Sequence, residues 1–455
     1  MERLFTRRGF NVLVLLFDLV IVFLSIFISY LYYKENFASP QESLSAILTM
    51  SPYIGLFYLI IGHVFELDKP KEFSLFGVAY TVIITVLCLF MLTMAMSFFT
   101  QKILYPRSIM VQSSLIQIVL LTAWHLYINK RYLKENVKKT VLVVGYHKAK
   151  DIARQLLNSK SMWSNIKKIC KPESPNLEQY ILEYDIVFVT EDVDENMKQN
   201  LAEECARKNK EFFYEPRYQE LFLFNANFVR IDDTPILKTR PFDIDHGSDM
   251  MKRFLDIFLT SIAAIIFFIP ALIVTIALKI GGGSVLYRQE RITQGGRIFY
   301  IYKFRTMIEN AEAASGPVLA NDTDSRITKL GHFLRATRLD EIPQLYNILA
   351  GDMSIVGPRP ERPFFVERYA NEIPEYNLRH RVKAGLTGLA QVQGKYNTPV
   401  REKLKYDLLY INSYSLALDI KLIMQTLTIL LKKSSTEGLR EWESHDELLE
   451  KLTEK

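Results

Sequence analysis

Cysteine is scarce in this chain, with three in 455 residues at Cys88, Cys170 and Cys205. Three scattered thiols supply neither a disulfide framework nor a zinc site, and they read as inert core or membrane thiols. A marked excess of one charge is also missing, since 56 Lys and Arg stand against 50 Asp and Glu, a net of +6. That balance suits work beside an anionic membrane surface or with phosphates. Without an Arg-rich stripe or an RNA-binding motif, it argues against nucleic acid as a partner. No small-residue cleavage site follows the first apolar run, and the run is too long for the core of a signal peptide. It reads as a retained membrane span.

What is plentiful is apolar length. Hydrophobic residues make up 49% of the chain, with 29 Phe and 24 Tyr, and they gather in a few long runs. The length exceeds one ordinary core, so two or three domains are expected. Four runs open the chain, at about 10–33, 44–65, 76–99 and 108–128. Each has about 20 residues, enough to cross a hydrocarbon layer of ~30 Å as a helix. Arg3, Arg7 and Arg8 precede the first, while Lys130, Arg131, Lys134, Lys138 and Lys139 follow the fourth. Basic flanks belong in the cytoplasm, which agrees with an even number of crossings. Asp18 and His63 lie inside apolar runs, where helix pairing or an interfacial position is a simpler role than a functional site.

From about 137 to 245 strands and helices alternate. Thr140-Val-Leu-Val-Val-Gly145 and Tyr184-Asp-Ile-Val-Phe-Val-Thr190 read as strands, followed by helices at 149–157 and 195–208. Glu211-Phe-Phe-Tyr214 is a further candidate strand, and a weak one lies near Ile166. Such alternation predicts a Rossmann-like parallel sheet. The glycines of a dinucleotide fingerprint are absent, however. Gly145 stands alone, with His147 and Lys150 where the second and third would fall, and the acidic ribose partner is hard to find because the weak strand near Ile166 leads into Cys170-Lys-Pro172. A structural or regulatory module is the expectation.

Phe254 to Leu278 is a fifth apolar run, with Asp256 inside it and Pro270 in its middle. Length alone favours a fifth crossing. Proline removes a helix hydrogen bond and bends the axis, so the run can also enter and leave by one face. Lys252, Arg253 and Asp256 would then sit at the membrane interface.

After Gly281-Gly-Gly-Ser284 the chain becomes dense in charged and turn residues. Five stretches stand out: Tyr287-Arg-Gln-Glu-Arg291, Lys303-Phe-Arg-Thr-Met307, 334–345, 351–360 and 385–394. In the third, Asp340-Glu341 precedes Pro343, which suits the first turn of a helix, and Gly351 suits its end. Two carboxylates at the positive end of a helix gain ~0.3–1 kcal/mol. As sequence neighbours they diverge in direction, which favours divided roles over a shared proton. One can attack phosphorus, and the other can hold Mg²⁺ with phosphate oxygens. The plain alternative is a pair of helix-start acids. Arg335, Arg338 and Arg359, with Lys303 and Arg305, shift the balance, because cations beside two carboxylates suit phosphoryl transfer. Arg359 lies between Pro358 and Pro360, which fix its backbone for clamping phosphate.

From Lys252 to about Lys432 the ordered series of motifs resembles the bacterial sugar transferases, the monotopic polyprenyl-phosphate phosphoglycosyl transferases. The whole layout resembles the large members of that family. The resemblance implies a membrane protein with a four-helix transmembrane bundle (1–130), an α/β Rossmann-like domain (137–245) and a mainly α catalytic domain (250–435). That domain would hold a re-entrant helix at about 252–280 and interfacial helices, ahead of a charged tail (436–455). Asp340 matches the nucleophile that takes up a sugar-phosphate and releases UMP, and Glu341 matches the Mg²⁺ ligand. Arg335 and Arg359 match arginines of the site, with Arg359 toward substrate phosphate. Lys303 and Arg305 fall in the Lys-Phe-Arg motif, and Lys395 stands where a basic residue, usually arginine, is found. Lys252, Arg253 and Asp256 match the start of the re-entrant helix, broken at Pro270. Here Ile269 replaces the usual serine before that proline, and Gly281-Gly-Gly-Ser284 replaces a Ser-Pro-Gly-Pro stretch.

The implied donor is a UDP-sugar and the acceptor undecaprenyl phosphate, with ping-pong kinetics. The implied setting is the cytoplasmic face of the bacterial inner membrane, at the first step of capsule, exopolysaccharide, O-antigen or glycoprotein glycan assembly. Because nucleotide-sugars are cytoplasmic, this chemistry reverses the preference for a fifth crossing. Oligomeric state stays open, a homodimer included. A helix over 415–432 would lie on the membrane surface or on the core, and the tail from Thr436 is expected to be peripheral. A non-catalytic scaffold and an ordinary UDP-releasing glycosyltransferase are the competing readings.

Overall fold

The structure is a computed structural model that describes residues 7–36, 39–68, 75–100, 106–136, 139–158, 165–224, 226–239, 242–308, 326–394, 398–430 and 445–453. It divides into two compact units, Met1–Pro216 with Trp442–Lys455, and Arg217–Glu441.

In the first unit, α1 (Arg7–Tyr33), α2 (Pro40–Val64), α3 (Leu75–Thr100) and α4 (Arg107–Asn136) are the apolar helices. All four are long and apolar enough to cross a membrane. Helix α1 packs along α4 and α2, and α3 along both of those. Small residues permit the close approach, since a Cβ at Gly55 would lie 3.2 Å from Phe23 and one at Gly62 3.2 Å from Leu15. Asp18 is fully buried. Its Oδ2 accepts from the Tyr58 hydroxyl at 2.9 Å and lies 3.2 Å from His125 Nε2, which ties α1 to α2 and α4. His63 pairs with Asp68 at the end of α2, with 2.9 Å between them.

The same unit carries a parallel sheet of order β2-β1-β3-β4. Its strands are β1 (Val141–Val144), β2 (Ile166–Cys170), β3 (Ile186–Val189) and β4 (Glu211–Tyr214), with α5 (Lys148–Asn158), α6 (Leu177–Glu183) and α7 (Glu195–Arg207) between them. All four residues of β1 are buried, as a central strand covered on both faces requires. Gly145 ends this strand for want of space, because a Cβ there would lie 1.9 Å from Thr190 Oγ1. The start of α5, where a dinucleotide would present its pyrophosphate, holds the chain's own Asp192. That carboxylate accepts from Lys148 N at 3.0 Å and from Tyr146 N at 3.4 Å.

The second unit begins with α8 (Tyr218–Leu221) and a hairpin of β5 (Asn227–Ile231) and β6 (Thr234–Lys238). The fifth apolar run is two helices, α9 (His246–Ile266) and α10 (Phe268–Ile280), bent by 59°. The break falls at Phe267, whose φ of −88° and ψ of 5° leave the helical region. Pro270 is the third residue of α10. Its missing N–H falls among the unpaired donors of a first turn, while its ring bars continuation from the Ile266 carbonyl.

An antiparallel hairpin follows, β7 (Leu286–Ile292) with β8 (Ile298–Phe304). Then come α11 (Lys329–Ala336), a 3-10 turn (Leu339–Glu341), α12 (Gln344–Ala350) and β9 (Met353–Val356). The rest is α13 (Pro363–Glu372), a 3-10 segment (Pro374–Arg381), β10 (Ala384–Thr387) parallel to β9, α14 (Leu389–Gln393), α15 (Val400–Asn412) and α16 (Leu416–Leu430). Helix α16 packs on the core, with Asp419 and Leu422 both 1% exposed.

The last helix, α17 (Asp446–Leu452), belongs to the first unit and corrects the expectation of a peripheral tail. Leu449 is 1% exposed in the core that includes Ile166 and Ile169, and Asp446 pairs with Arg154 at 2.8 Å.

Candidate active site

The site is assembled by pinning one short helix against one hairpin. Asn347, fully buried on α12, donates from Nδ2 to the Tyr300 carbonyl at 2.8 Å and accepts from Tyr302 N at 3.1 Å. An amide that satisfies both partners inside the protein fixes α12 in register with β8. Lys303, the next residue along β8, then reaches Glu341 Oε1 at 2.9 Å. From the other side α11 presses on the end of the same hairpin. A Cβ at Gly331 would lie 2.0 Å from the Thr306 carbonyl oxygen, so only glycine fits. Arg335 Nε donates to Thr306 Oγ1 at 3.0 Å. The chain then turns through Arg338, a non-glycine residue in the left-handed region with φ of 57°, into the 3-10 turn that carries both carboxylates.

Asp340 and Glu341 are adjacent yet electrostatically opposite. Burial works to raise the Glu341 carboxyl, but Lys303, Arg359 and Arg338 together hold it well below the usual carboxylate range. Burial, and then the charge of Glu341, push Asp340 above its ordinary value of 3.8, with Lys303, Arg338 and Arg335 opposing. Asp340 is 7% exposed, and its Oδ1 is buried with no hydrogen-bond partner among the described residues. Gln344 Nε2, one turn on, is also buried and unpartnered among them. Arg359 is half exposed, with a guanidinium nitrogen 3.6 Å from Glu341 Oε1. Two neighbouring acids with environments that drive their ionisation apart suit two different tasks. The donor set also fits Mg²⁺. The neighbouring cations hold Glu341 ionised, its closest contacts with Lys303 and Arg359 are made by Oε1, and Mg²⁺ asks for only one or two carboxylates beside phosphate oxygens.

The sequence-predicted residues divide into two groups. Asp340, Glu341, Lys303 and Arg359 are brought together, with Arg335 near enough to act on Asp340 by charge. Arg305 donates instead to the Gly282 carbonyl, in a turn where Gly282 and Gly283 both have positive φ. Lys395 lies outside the described residues. The three charges at the start of α9 act as anchors inside the protein. Lys252, 4% exposed, binds Asp419 of α16 at 2.5 Å and the Tyr410 hydroxyl at 3.2 Å. Arg253 donates to the Ile348 and Leu349 carbonyls at 2.6 and 2.8 Å, at the C-terminus of α12. Asp256 accepts from Ile355 N of β9 at 3.0 Å. Sequence reasoning placed these three at a membrane interface, and it missed Asn347 and Gly331 altogether.

A profile of the family described as "Bacterial sugar transferase" matches residues 247–433, which contain the whole constellation. The "UDP-glucose:undecaprenyl-phosphate glucose-1-phosphate transferase" of Caulobacter vibrioides is 39% identical over 189 residues, covering 40% of this chain and 70% of that protein. The chain belongs to the bacterial sugar transferase family. Two further sugar transferases extend the comparison. The "UDP-N-acetylgalactosamine-undecaprenyl-phosphate N-acetylgalactosaminephosphotransferase" of Aeromonas hydrophila is 41% identical over 186 residues, covering 40% of this chain and 44% of that protein. An "Uncharacterized sugar transferase" of Haemophilus influenzae is 30% identical over 298 residues, 62% of this chain and 60% of that protein. The chain thus spans about half the length of the Aeromonas and Haemophilus relatives.

Proposed function

We propose that this bacterial sugar transferase moves a sugar-1-phosphate from a UDP-sugar to undecaprenyl phosphate and releases UMP, through a covalent phosphosugar on Asp340. The observation that carries the reading is the unequal carboxylate pair. Glu341 is clasped by Lys303 and Arg359, while beside it the buried Asp340 Oδ1 has no hydrogen-bond partner among the described residues. The ionised Asp340 carboxylate attacks the phosphorus that bears the sugar, the bond from that phosphorus to the UMP oxygen breaks, and UMP departs. An oxygen of undecaprenyl phosphate then attacks the same phosphorus, and Asp340 leaves as carboxylate, giving a diphosphate-linked product and ping-pong kinetics. Arg359 and Lys303 neutralise charge on the transferring group, and Arg335 and Arg338 lower the cost of ionised Asp340. Glu341 would hold Mg²⁺, which supplies further neutralisation of the donor diphosphate when bound.

The bent helix pair supports a re-entrant reading. Lys252 and Asp256 near the start of α9 are buried against the unit that holds the site. Val274 and Leu278 near the end of α10 pack with Phe304 and Leu334 of that unit. Meanwhile Phe254, Ile265 and Ile280 are 66%, 77% and 82% exposed. A pair that begins and ends on one core with an apolar surface suits a helix dipping into one leaflet. In that reading the site works on the cytoplasmic face of the inner membrane, and the four N-terminal helices cross it. The Rossmann-like sheet serves as a structural or regulatory module, consistent with Asp192 at the start of α5.

The test is nucleotide release from the full-length protein in detergent with Mg²⁺, undecaprenyl phosphate and a panel of UDP-sugars. UMP released with one sugar, and lost in Asp340→Asn, is the expected outcome. Release of UDP would refute the covalent route.

A further inference from the structure

The carbonyls of Pro358, Arg359 and Pro360, three in a row, are all bound. The Pro358 oxygen accepts from Gly385 N at 2.9 Å. The Arg359 oxygen accepts from Arg379 Nη2 at 2.8 Å. The Pro360 oxygen accepts from Arg291 Nη1 at 3.1 Å. Around them there is no spare room. A Cβ at Gly357 would lie 2.3 Å from the Lys383 carbonyl oxygen, one at Gly385 2.1 Å from Gly357 N, and one at Gly388 2.2 Å from the Gly357 carbonyl oxygen. The backbone of this loop is therefore held on all sides while the Arg359 guanidinium stays half exposed.

Arg379 differs from an ordinary buried ion pair. It is 5% exposed and lies on the 3-10 segment between α13 and β10. Its Nε donates to Asp407 Oδ2 at 3.0 Å and its Nη1 to the Tyr376 hydroxyl at 2.9 Å, while its Nη2 lies 2.8 Å from both Asp407 Oδ2 and the Arg359 carbonyl oxygen. Asp407 and Tyr376 thereby aim the planar fork, and the fork's remaining direction is taken by the backbone of the loop. A guanidinium in a dry interior holds such geometry without rotameric freedom.

From this arrangement we propose that Arg379, oriented by Asp407 and Tyr376 and assisted by Arg291, is a positioning residue for Arg359. It touches no substrate and acts by fixing where the Arg359 guanidinium meets the donor's phosphate. The proposal rests on the reading of Arg359 given above. Displacing a phosphate clamp by about 1 Å costs on the order of 100-fold in rate.

The experiment is a double-mutant cycle on the full-length protein in detergent. It measures UMP release with Mg²⁺, undecaprenyl phosphate and UDP-glucose or UDP-N-acetylgalactosamine, whichever the wild type turns over. Arg359→Ala, Arg379→Gln and the double variant are compared by kcat/KM for the donor, with melting temperatures alongside. Arg379→Gln is expected to lose about 10- to 100-fold, and the double variant no more than Arg359→Ala alone, because a residue acting through Arg359 has nothing left to position. Arg379→Lys keeps the charge opposite Asp407 but not the fork, and is expected to fall between wild type and Arg379→Gln. Should Arg379→Gln fail to fold, Arg291→Gln and the paired Arg379→Met/Asp407→Leu replacement carry the same cycle. Losses that multiply in the double variant, or an Arg379→Gln protein as active as wild type, would overturn the positioning role alone. No UMP from the wild type, or an unaffected Arg359→Ala, would overturn the reading of the site and this proposal with it.

Discussion

Arg253 offers a quantitative check on how the bent helix is attached. Its guanidinium donates to the Ile348 and Leu349 carbonyls, two of the last oxygens of α12, the first of which also accepts from Gly351 N at 3.1 Å. One bond is part-buried and the other exposed. Hydrogen bonds to a charged group contribute ~1.5–3 kcal/mol when shielded, and the exposed one contributes much less. A cation at a helix C-terminus adds ~0.3–1 kcal/mol, partly counted in the same bonds. Arg253→Ala should therefore cost about 2 kcal/mol, at the low end of these ranges combined. For a unit of this size that is a fall in melting temperature of about 4–8 °C. Arg253→Lys keeps the charge with a single donor group and should lose about half as much. Thermal unfolding in detergent, followed by intrinsic fluorescence, measures both. A melting point for Arg253→Ala within about 1 °C of wild type would refute the anchoring role, given the same size scaling.

Three other outcomes are expected. The raised pKa of Asp340 means that the folded protein holds this proton better than the unfolded chain. Its ionisation therefore costs stability, a cost absent below the ordinary value of 3.8 and complete above the raised one. Asp340→Asn should melt higher than wild type at neutral pH, and the gap should close as the pH falls towards 4, the carboxylate's ordinary region. The same shift places the acidic limb of the kcat/KM profile above that ordinary value, a feature that rate measurements from pH 4 to 8 would reveal. Gly331→Ala forces a methyl against the Thr306 carbonyl and should cost ~1–3 kcal/mol or more, seen as a lower melting point with UMP release reduced as Arg335 shifts. Leu449→Ala should cost ~2–5 kcal/mol of docking for α17 and expose the C-terminal segment to limited proteolysis.

Local chemistry was readable from the chain alone, and long-range chemistry was not. Four apolar runs announce four helices because length and composition suffice for that inference. Pro270 marks the break of α9 from α10 because proline's effect is confined to one turn. Asp340 and Glu341 stand out by their place before Pro343 and Gly351. Their inequality does not, since it depends on Lys303 and Arg359, each distant in sequence. Lys252 beside an apolar run reads as an interfacial charge, yet its partner Asp419 is 167 positions away. Arg379 and Asp407 carry no motif that links them to Arg359. The reason for a glycine is equally remote. Gly145 invites comparison with a dinucleotide fingerprint, although its reason is the nearness of Thr190. Tail charge likewise masked Leu449, one apolar residue whose burial decides where α17 sits.

The covalent step is the claim on which the rest depends, and intact-protein mass spectrometry addresses it most directly. The full-length protein would be incubated with Mg²⁺ and its UDP-sugar in the absence of undecaprenyl phosphate, then quenched in acid. The expected result is a mass increase equal to one sugar-phosphate, localised to the peptide containing Asp340, absent from Asp340→Asn and discharged when undecaprenyl phosphate is added. An unmodified protein that still turns over donor once acceptor is present would contradict the account.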